Sequence, residues 1–517
     1  MFQRVSDQLL NPIIPGFNPD PSICRVGSDY FLATSSFEYF PGVPIYHSTD
    51  LVEWRVIGHA LSRPSQLFMR QVDPGGGIYA PTLRYWKGRF YLATCCVIRR
   101  GTSDGANPRG FFVYTDDIMK QDSWSDPVFI DNVGIDQDLF FDDDERVYVC
   151  TTRWNPLKGP TADVRLATFC SELDIATGRN LTSPVLVRDS DLSSGIAEGA
   201  HIIKKDGWYY LLTAEGGTLG EHQEWVHRSR SPLGPYEPPP SGINPILWDD
   251  RWEGLRQAGH ADLVTDESGQ WWAVFLAIRP QANGVAHLGR ETFLAPISWT
   301  SDGWPITARD PTSQARRTMQ PRASKNERES EWTADYSSDC LQLGWYRLRT
   351  PIGCDYSLSD PQGTLTLYGN AYTICDDECP SMLLRKQTSL SGTWSTLLDF
   401  NPTTIVEEAG TPHYPHTGAL KDCSSAEKWK EICQPLIGDG PVLFIFRAQP
   451  TSYDALYQGP DSPSPVKIAS LPTTLLVRNH SFDSPFTGTH LAVLAQGTNG
   501  APCVNPARFT QASWRDS

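Results

Sequence analysis

One short pattern recurs five times in the first three hundred residues. It opens at Asp20 (Asp-Pro-Ser-Ile), Ala80 (Ala-Pro-Thr-Leu), Asp136 (Asp-Gln-Asp-Leu-Phe), Glu198 (Glu-Gly-Ala-His-Ile) and His260 (His-Ala-Asp-Leu-Val), at intervals of 60, 56, 62 and 62 residues. Shortly after each comes a polar or glycine turn and an apolar, mostly aromatic strand: Tyr30-Phe31-Leu32, Phe90-Tyr91-Leu92, Val147-Tyr148-Val149, Tyr209-Tyr210-Leu211 and Trp272-Ala273-Val274. A fixed period above forty residues whose every unit is rich in short strands is the signature of a β-propeller, here of five blades. Innermost strands run along the propeller axis, so equivalent positions of different blades converge. Asp20, Asp136 and Glu198 are therefore expected to meet in space.

At 517 residues the chain exceeds what one core supports, so a second domain is expected beyond the propeller. Each blade carries a further recurring element, such as Tyr46 to Trp54, Tyr114 to Trp124 and Arg228 to Tyr236, read as a strand, a polar turn and an aromatic plug. The repeat spans residues 12–310. The stretch 311–331, PTSQARRTMQPRASKNERESE, is polar and lacks an apolar period, which predicts a linker. Short strands resume in 332–517, for example Gly363–Tyr368, Trp394–Phe400, Val442–Phe446 and His490–Ala495, predicting a β-sandwich of concanavalin or jelly-roll type. The fold class is thus all-β. The clearest helical candidate is Ser425–Cys433, inside an irregular segment at 411–439.

A net charge of −16 argues against nucleic acid, whose phosphates demand clustered Lys and Arg. No apolar run approaches the ~20 residues of a membrane helix, and the opening MFQRVSDQLLNPII lacks a signal peptide's apolar stretch. The expectation is a soluble, cytoplasmic protein, with secretion left open. The 12 cysteines lack zinc spacing and are expected to be mostly reduced core residues.

Three carboxylates in a partly dry cavity cannot all keep ordinary pKa values. Proximity and desolvation raise some, so one can be protonated near neutrality while another stays ionised. An acid facing a base across a pocket is what glycosidic bond cleavage requires.

GFNPDPSI (16–23), TSSFEYFPGVPIYHSTDL (34–51), GGIYAPTLRY (76–85), GIDQDLFFDDD (134–144), AEGAH (197–201), AEGGT (214–218), GHADLV (259–264) and LGRET (288–292) run through the repeat in order. In these motifs the chain resembles glycoside hydrolase family 43, most closely its β-xylosidase/α-L-arabinofuranosidase branch with a C-terminal sandwich. The resemblance implies an exo-acting, inverting hydrolase that releases terminal pentoses from xylo- or arabino-oligosaccharides. It also implies that Asp20 is the general base, Glu198 the general acid, and Asp136 the carboxylate that holds the acid and raises its pKa. It implies that Arg290 binds sugar hydroxyls, that Phe37 and Trp154 line the sugar pocket, and that Phe486 closes it. It further implies that His260 lies under the carboxylates and helps hold a water or a structural calcium ion, with no cofactor required for the chemistry. The family's Ile-Trp-Ala-Pro-Asp reads Ile78-Tyr79-Ala80-Pro81-Thr82 here. Tyr79 keeps an aromatic at the pocket wall, while Thr82 loses a carboxylate, which bears on sugar preference.

Three other readings compete. Five-bladed retaining fructosidases also use three axial carboxylates, but their Arg-Asp-Pro occurs here only at Arg309-Asp310-Pro311, by the linker. A catalytically silent sugar-binding propeller would not need all three carboxylates, each in its own motif. An interaction propeller of WD type would show ~40–45-residue repeats ending in Trp-Asp.

Overall fold

The computed structural model describes residues 11–99, 107–156, 165–249, 254–307, 331–411, 413–414, 440–476 and 486–517. All but one residue of the predicted linker, the helical candidate Ser425–Cys433, nearly all of the irregular segment 411–439 and Arg309-Asp310-Pro311 lie outside the described residues.

The chain divides into two compact units. The first comprises Met1–Met69, Gly75–Arg279 and Arg290–Ala323, and the second Arg70–Pro74, Pro280–Gly289 and Ser324–Ser517.

The first unit is a five-bladed propeller of antiparallel sheets. Each blade begins with an inner strand hairpinned to an apolar one: Ser22–Val26 with Asp29–Ala33, Thr82–Trp86 with Arg89–Val97, Ile135–Phe141 with Val147–Trp154, Ala197–Lys205 with Trp208–Glu215, and Arg256–Thr265 with Trp271–Ile278. Two of these hairpins close through two-residue loops with both residues at positive φ, Lys87-Gly88 and Asp206-Gly207. That conformation matches the right-handed strand twist.

The apolar strands explain how blades pack. Side chains alternate between faces, so a strand between two neighbours must be apolar on both. In blade four, Tyr209 and Leu211 join Phe140, Tyr148 and Ile202 toward blade three. Tyr210 and Leu212 join Phe275, Phe293 and Trp304 toward blade five. The ring is closed by the N-terminal segment: Ile14 bridges Thr292 in the outer part of blade five, and the Asn11 side chain donates to Leu294 O (2.9 Å).

The second unit packs two sheets face to face. One contains Gln362–Leu367, Ala507–Asp516, Gly392–Asp399, Val442–Gln449, Ser452–Gln458 and Val466–Pro472, and the other Ser381–Lys386, His490–Gly497 and Glu407–Gly410. Leu383, Leu491 and Val493 from the smaller sheet share a core with Leu365, Trp394 and Phe509 from the larger. Gly392–Asp399 alternates buried and half-buried residues without a break, as a strand with one core face must. Two stretches from the propeller's part of the sequence group with this unit. Arg349 Nε donates to Val72 O (2.9 Å), Arg70 pairs with Glu378 (2.8 Å), and Thr489 N donates to His287 O (3.0 Å). The cysteines are more divided than expected: Cys95, Cys150, Cys170, Cys379 and Cys503 are buried, whereas Cys340, Cys354 and Cys375 are exposed.

Candidate active site

Asp20, Asp136 and His260 share a backbone state that side chains rarely adopt, with φ of 54°, 54° and 52°. Among non-glycine residues Asp and His are several-fold enriched there, and such strain gathers at functional sites. In blade four the matching residue is not Glu198 but Gly199, with φ of 60°. The register agrees. Glu198 faces Ala214 and His201 faces Leu212, so Gly199 and Ala200 together oppose one residue, as Gln137 and Asp136 do in blade three. The structural repeat is therefore Asp20, Ala80, Asp136, Gly199 and His260, at intervals of 60, 56, 63 and 61 residues. The expected equivalence of Glu198 with the two aspartates is off by one. A β-bulge re-aims the side chain beside it, and this one still brings Glu198 within electrostatic reach of Asp136, Asp20, His260 and Arg290.

Gly199 is required by space as well as by φ. A Cβ there would fall 2.9 Å from Cγ and Cδ2 of His260. Gly199→Ala is expected to destabilise the protein by about 2 kcal/mol and to lower turnover, as read by calorimetry and initial rates.

Asp20 is buried and has both oxygens occupied. Oδ1 lies 3.3 Å from Arg290 Nη1 and 3.3 Å from His260 Nδ1, and Oδ2 accepts a hydrogen bond from Ser35 Oγ (2.6 Å). Burial alone would raise its pKa, but Arg290 and His260 hold it well below the usual carboxylate range. Burial alone would make His260 a weaker base, yet its bond to Asp20 and the charge of Asp20 outweigh this and push it up to about 9. Glu198 goes the other way: burial, then the charge of Asp136, pushes it up to about 8. Asp136 is itself raised, first by burial, against the pull of His260. Its Oδ2 accepts from Gly199 N (2.8 Å), which ties it to the residue following Glu198.

Around this trio the sequence-predicted aromatics and arginine are partly assembled. Phe37 packs on Tyr79 with ring centres 4.9 Å apart, and the Arg290 guanidinium lies 5.3 Å from the centre of the Phe37 ring. Phe37 is held by paired backbone bonds with Ile78 (2.8 and 2.9 Å), which demand Gly77: a Cβ there would stand 2.1 Å from Phe37 O. Trp154 is 40% exposed at the end of its strand. That strand pairs Thr152 with Ile135, the neighbour of Asp136, so Trp154 stands at the same end of blade three. Phe486 belongs to the second unit, where it is half-buried. Thr82 is not a wall residue: it is 2% exposed on the inner strand of blade two, two positions past Ala80 and paired with Ala93. Ser35 and Thr218, whose hydroxyl accepts from Arg290 Nη1 (3.0 Å), went unmarked in the sequence although both lie inside the motifs TSSFEYF and AEGGT.

The calcium expectation at His260 does not fit. Calcium takes six to eight oxygen ligands, whereas His260 presents a nitrogen already engaged with Asp20 and held as a cation up to about pH 9. Among the described residues no group of three or more His, Cys, Asp or Glu side chains is placed to hold a metal.

A carboxylate kept ionised can take a proton from water, and a carboxyl kept protonated near neutrality can give one up, so the cluster holds a group suited to each half of acid–base hydrolysis. The chain belongs to glycosyl hydrolase family 43, whose description matches residues 9–305, and residues 333–423 match the beta xylosidase C-terminal concanavalin A-like domain. It is 35% identical over 521 aligned residues to a non-reducing end alpha-L-arabinofuranosidase of Bacteroides ovatus, covering 96% of this chain and 93% of that protein. It is 38% identical over 422 residues to a xylan 1,3-beta-xylosidase of a Vibrio species, covering 78% and 76%. The crystal structure of xylan beta-1,4-xylosidase from Bacillus halodurans superimposes with a TM-score of 0.83 at 29% identity, covering 98% of this chain and 100% of that one.

Proposed function

We propose that this hydrolase is exo-acting and inverting, and that it removes terminal β-D-xylose or α-L-arabinofuranose residues from short oligosaccharides. The observation that carries the reading is that two neighbouring buried carboxyls are pushed in opposite directions, Asp20 well below the usual range by Arg290 and His260, and Glu198 up to about 8 by burial and the charge of Asp136. The names borne by the relatives, arabinofuranosidase and xylosidase, support the sugar class.

In this reading Glu198 protonates the leaving oxygen while Asp20 takes a proton from a water that attacks the anomeric carbon from the opposite side. Asp136 keeps Glu198 protonated through its charge and anchors the bulge through Gly199 N. Arg290, lying between Asp20, Thr218 and Phe37, binds sugar hydroxyls, with Phe37, Tyr79 and Trp154 as the aromatic wall. No cofactor enters these steps.

Product analysis on xylo-oligosaccharides, set beside initial rates on aryl β-D-xyloside and aryl α-L-arabinofuranoside, tests the reading. Single pentoses are expected from the first minutes, and a ladder of mid-length products would overturn exo action. Proton NMR of the first-formed product is expected to show α-xylose from a β-xyloside; β-xylose would overturn inversion. Asp136→Asn is expected to leave KM nearly unchanged, to lower kcat, and to move the alkaline limb of the pH profile down. Removing the charge of Asp136 withdraws the second largest influence raising Glu198, so the acid loses its proton at lower pH.

A further inference from the structure

Two residues further along each inner strand from the ring of Asp20, Ala80, Asp136, Gly199 and His260 lies a second ring: Ser22, Thr82, Asp138, His201 and Asp262. None is more than 2% exposed. It holds two buried carboxylates, and part of it staples the blades: Asp138 accepts from Ile202 N (2.9 Å), Asp262 from Ile23 N (3.1 Å) and Ser22 from Leu83 N (2.9 Å). Two buried negative charges on one axis need a cation.

That cation is a side chain. Arg84 Nη1 lies 2.7 Å from Asp262 Oδ2 and 3.1 Å from Ser22 Oγ, and Nη2 lies 2.8 Å from Asp138 Oδ1 and 3.1 Å from His201 Nδ1. Arg84 belongs to blade two, Ser22 to blade one, Asp138 to three, His201 to four and Asp262 to five. One guanidinium thus touches a residue of every other blade. The His201 ring in turn stands 5.8 Å, centre to centre, from the His260 ring, whose Nδ1 faces Asp20.

We propose that Arg84 is the resident cation of the propeller axis and a positioning residue. By joining the five blades at one point it fixes His201 beside His260, and through His260 it fixes the carboxylate of Asp20. The oxygens that a divalent ion would need at this depth, Asp138 Oδ1 and Asp262 Oδ2, are already bonded to it. The planar fork matters as much as the charge, since a lysine ammonium is a point donor that cannot span four partners. The inference rests on the reading of Asp20 as the base.

The test compares wild type, Arg84→Lys, Arg84→Met and Asp20→Asn in the full chain, with folding followed by circular dichroism. Wild-type kcat is expected to be unchanged by chelator and by added calcium. Arg84→Met is expected to lose about 10²-fold in kcat while KM changes less than about threefold, with part of the activity restored by millimolar methylguanidinium. Arg84→Lys is expected to fold and to lose about tenfold in kcat, and it decides the matter if Arg84→Met does not fold. The proposal is overturned if Arg84→Lys or a folded Arg84→Met keeps wild-type kcat, if KM rises as much as kcat falls, or if chelation removes activity that calcium restores. Asp20→Asn separates the two readings: if it retains turnover, the base assignment fails whatever Arg84 does.

Discussion

Asp20→Asn is expected to lower kcat on every substrate by about four orders of magnitude, the upper end of what a general base supplies. The loss is expected to be the same for an activated aryl glycoside and for a disaccharide, because an amide cannot take a proton from water whatever group departs. Arg290 and His260 both bond Asp20 Oδ1, and the neutral amide of Asn carries no charge to match theirs, so the substitution also leaves buried cations short of their counterion, which costs stability. The sign with pH follows from the depressed pKa of Asp20. Its ion pairs contribute stability above the unfolded-state value of about 4 and lose it as pH falls toward the folded value. The variant is therefore expected to melt lower than wild type at neutral pH and to converge with it in strong acid. Melting curves across pH, read beside initial rates, check both halves; turnover within tenfold of wild type would remove Asp20 from the base role.

Glu198→Gln is expected to split substrates by leaving group. A sugar leaving group needs a proton, so the loss there is expected to be about 10³-fold. A dinitrophenolate leaves without one, so its loss is expected to stay within about tenfold. Because Glu198 is pushed up to about 8, wild-type kcat/KM on natural substrates is expected to fall above that pH, and the variant to lose this limb. Equal losses on both substrate kinds, or an alkaline limb that survives in Glu198→Gln, would mean that another group donates the proton.

What was legible in the sequence and what was not divides along a physical line. The hairpins, their aromatic strands and the period of about sixty residues follow from local patterns: two-residue turns, alternating side chains and apolar faces on both sides of a strand. These local patterns also placed Asp20, Asp136 and His260 at equivalent points, because each occupies the same left-handed position two residues before the second axial ring. Alignment by spacing slipped at Glu198, since a bulge changes register by one residue without changing the look of the motif. The role of Arg84 is not legible in its motif, because its partners lie in four other blades and meet only when the ring closes. Likewise nothing local told Arg70–Pro74 or Pro280–Gly289 apart from the blades around them, although they group with the second unit. The amino-acid sequence by itself determined the blades, the residue types at the axis and the presence of three carboxylates. Only the tertiary structure decided which carboxylate is held ionised and which protonated, because that depends on burial and on the charges of Arg290, His260 and Asp136, which lie far from Asp20 and Glu198 along the chain and close to them in space.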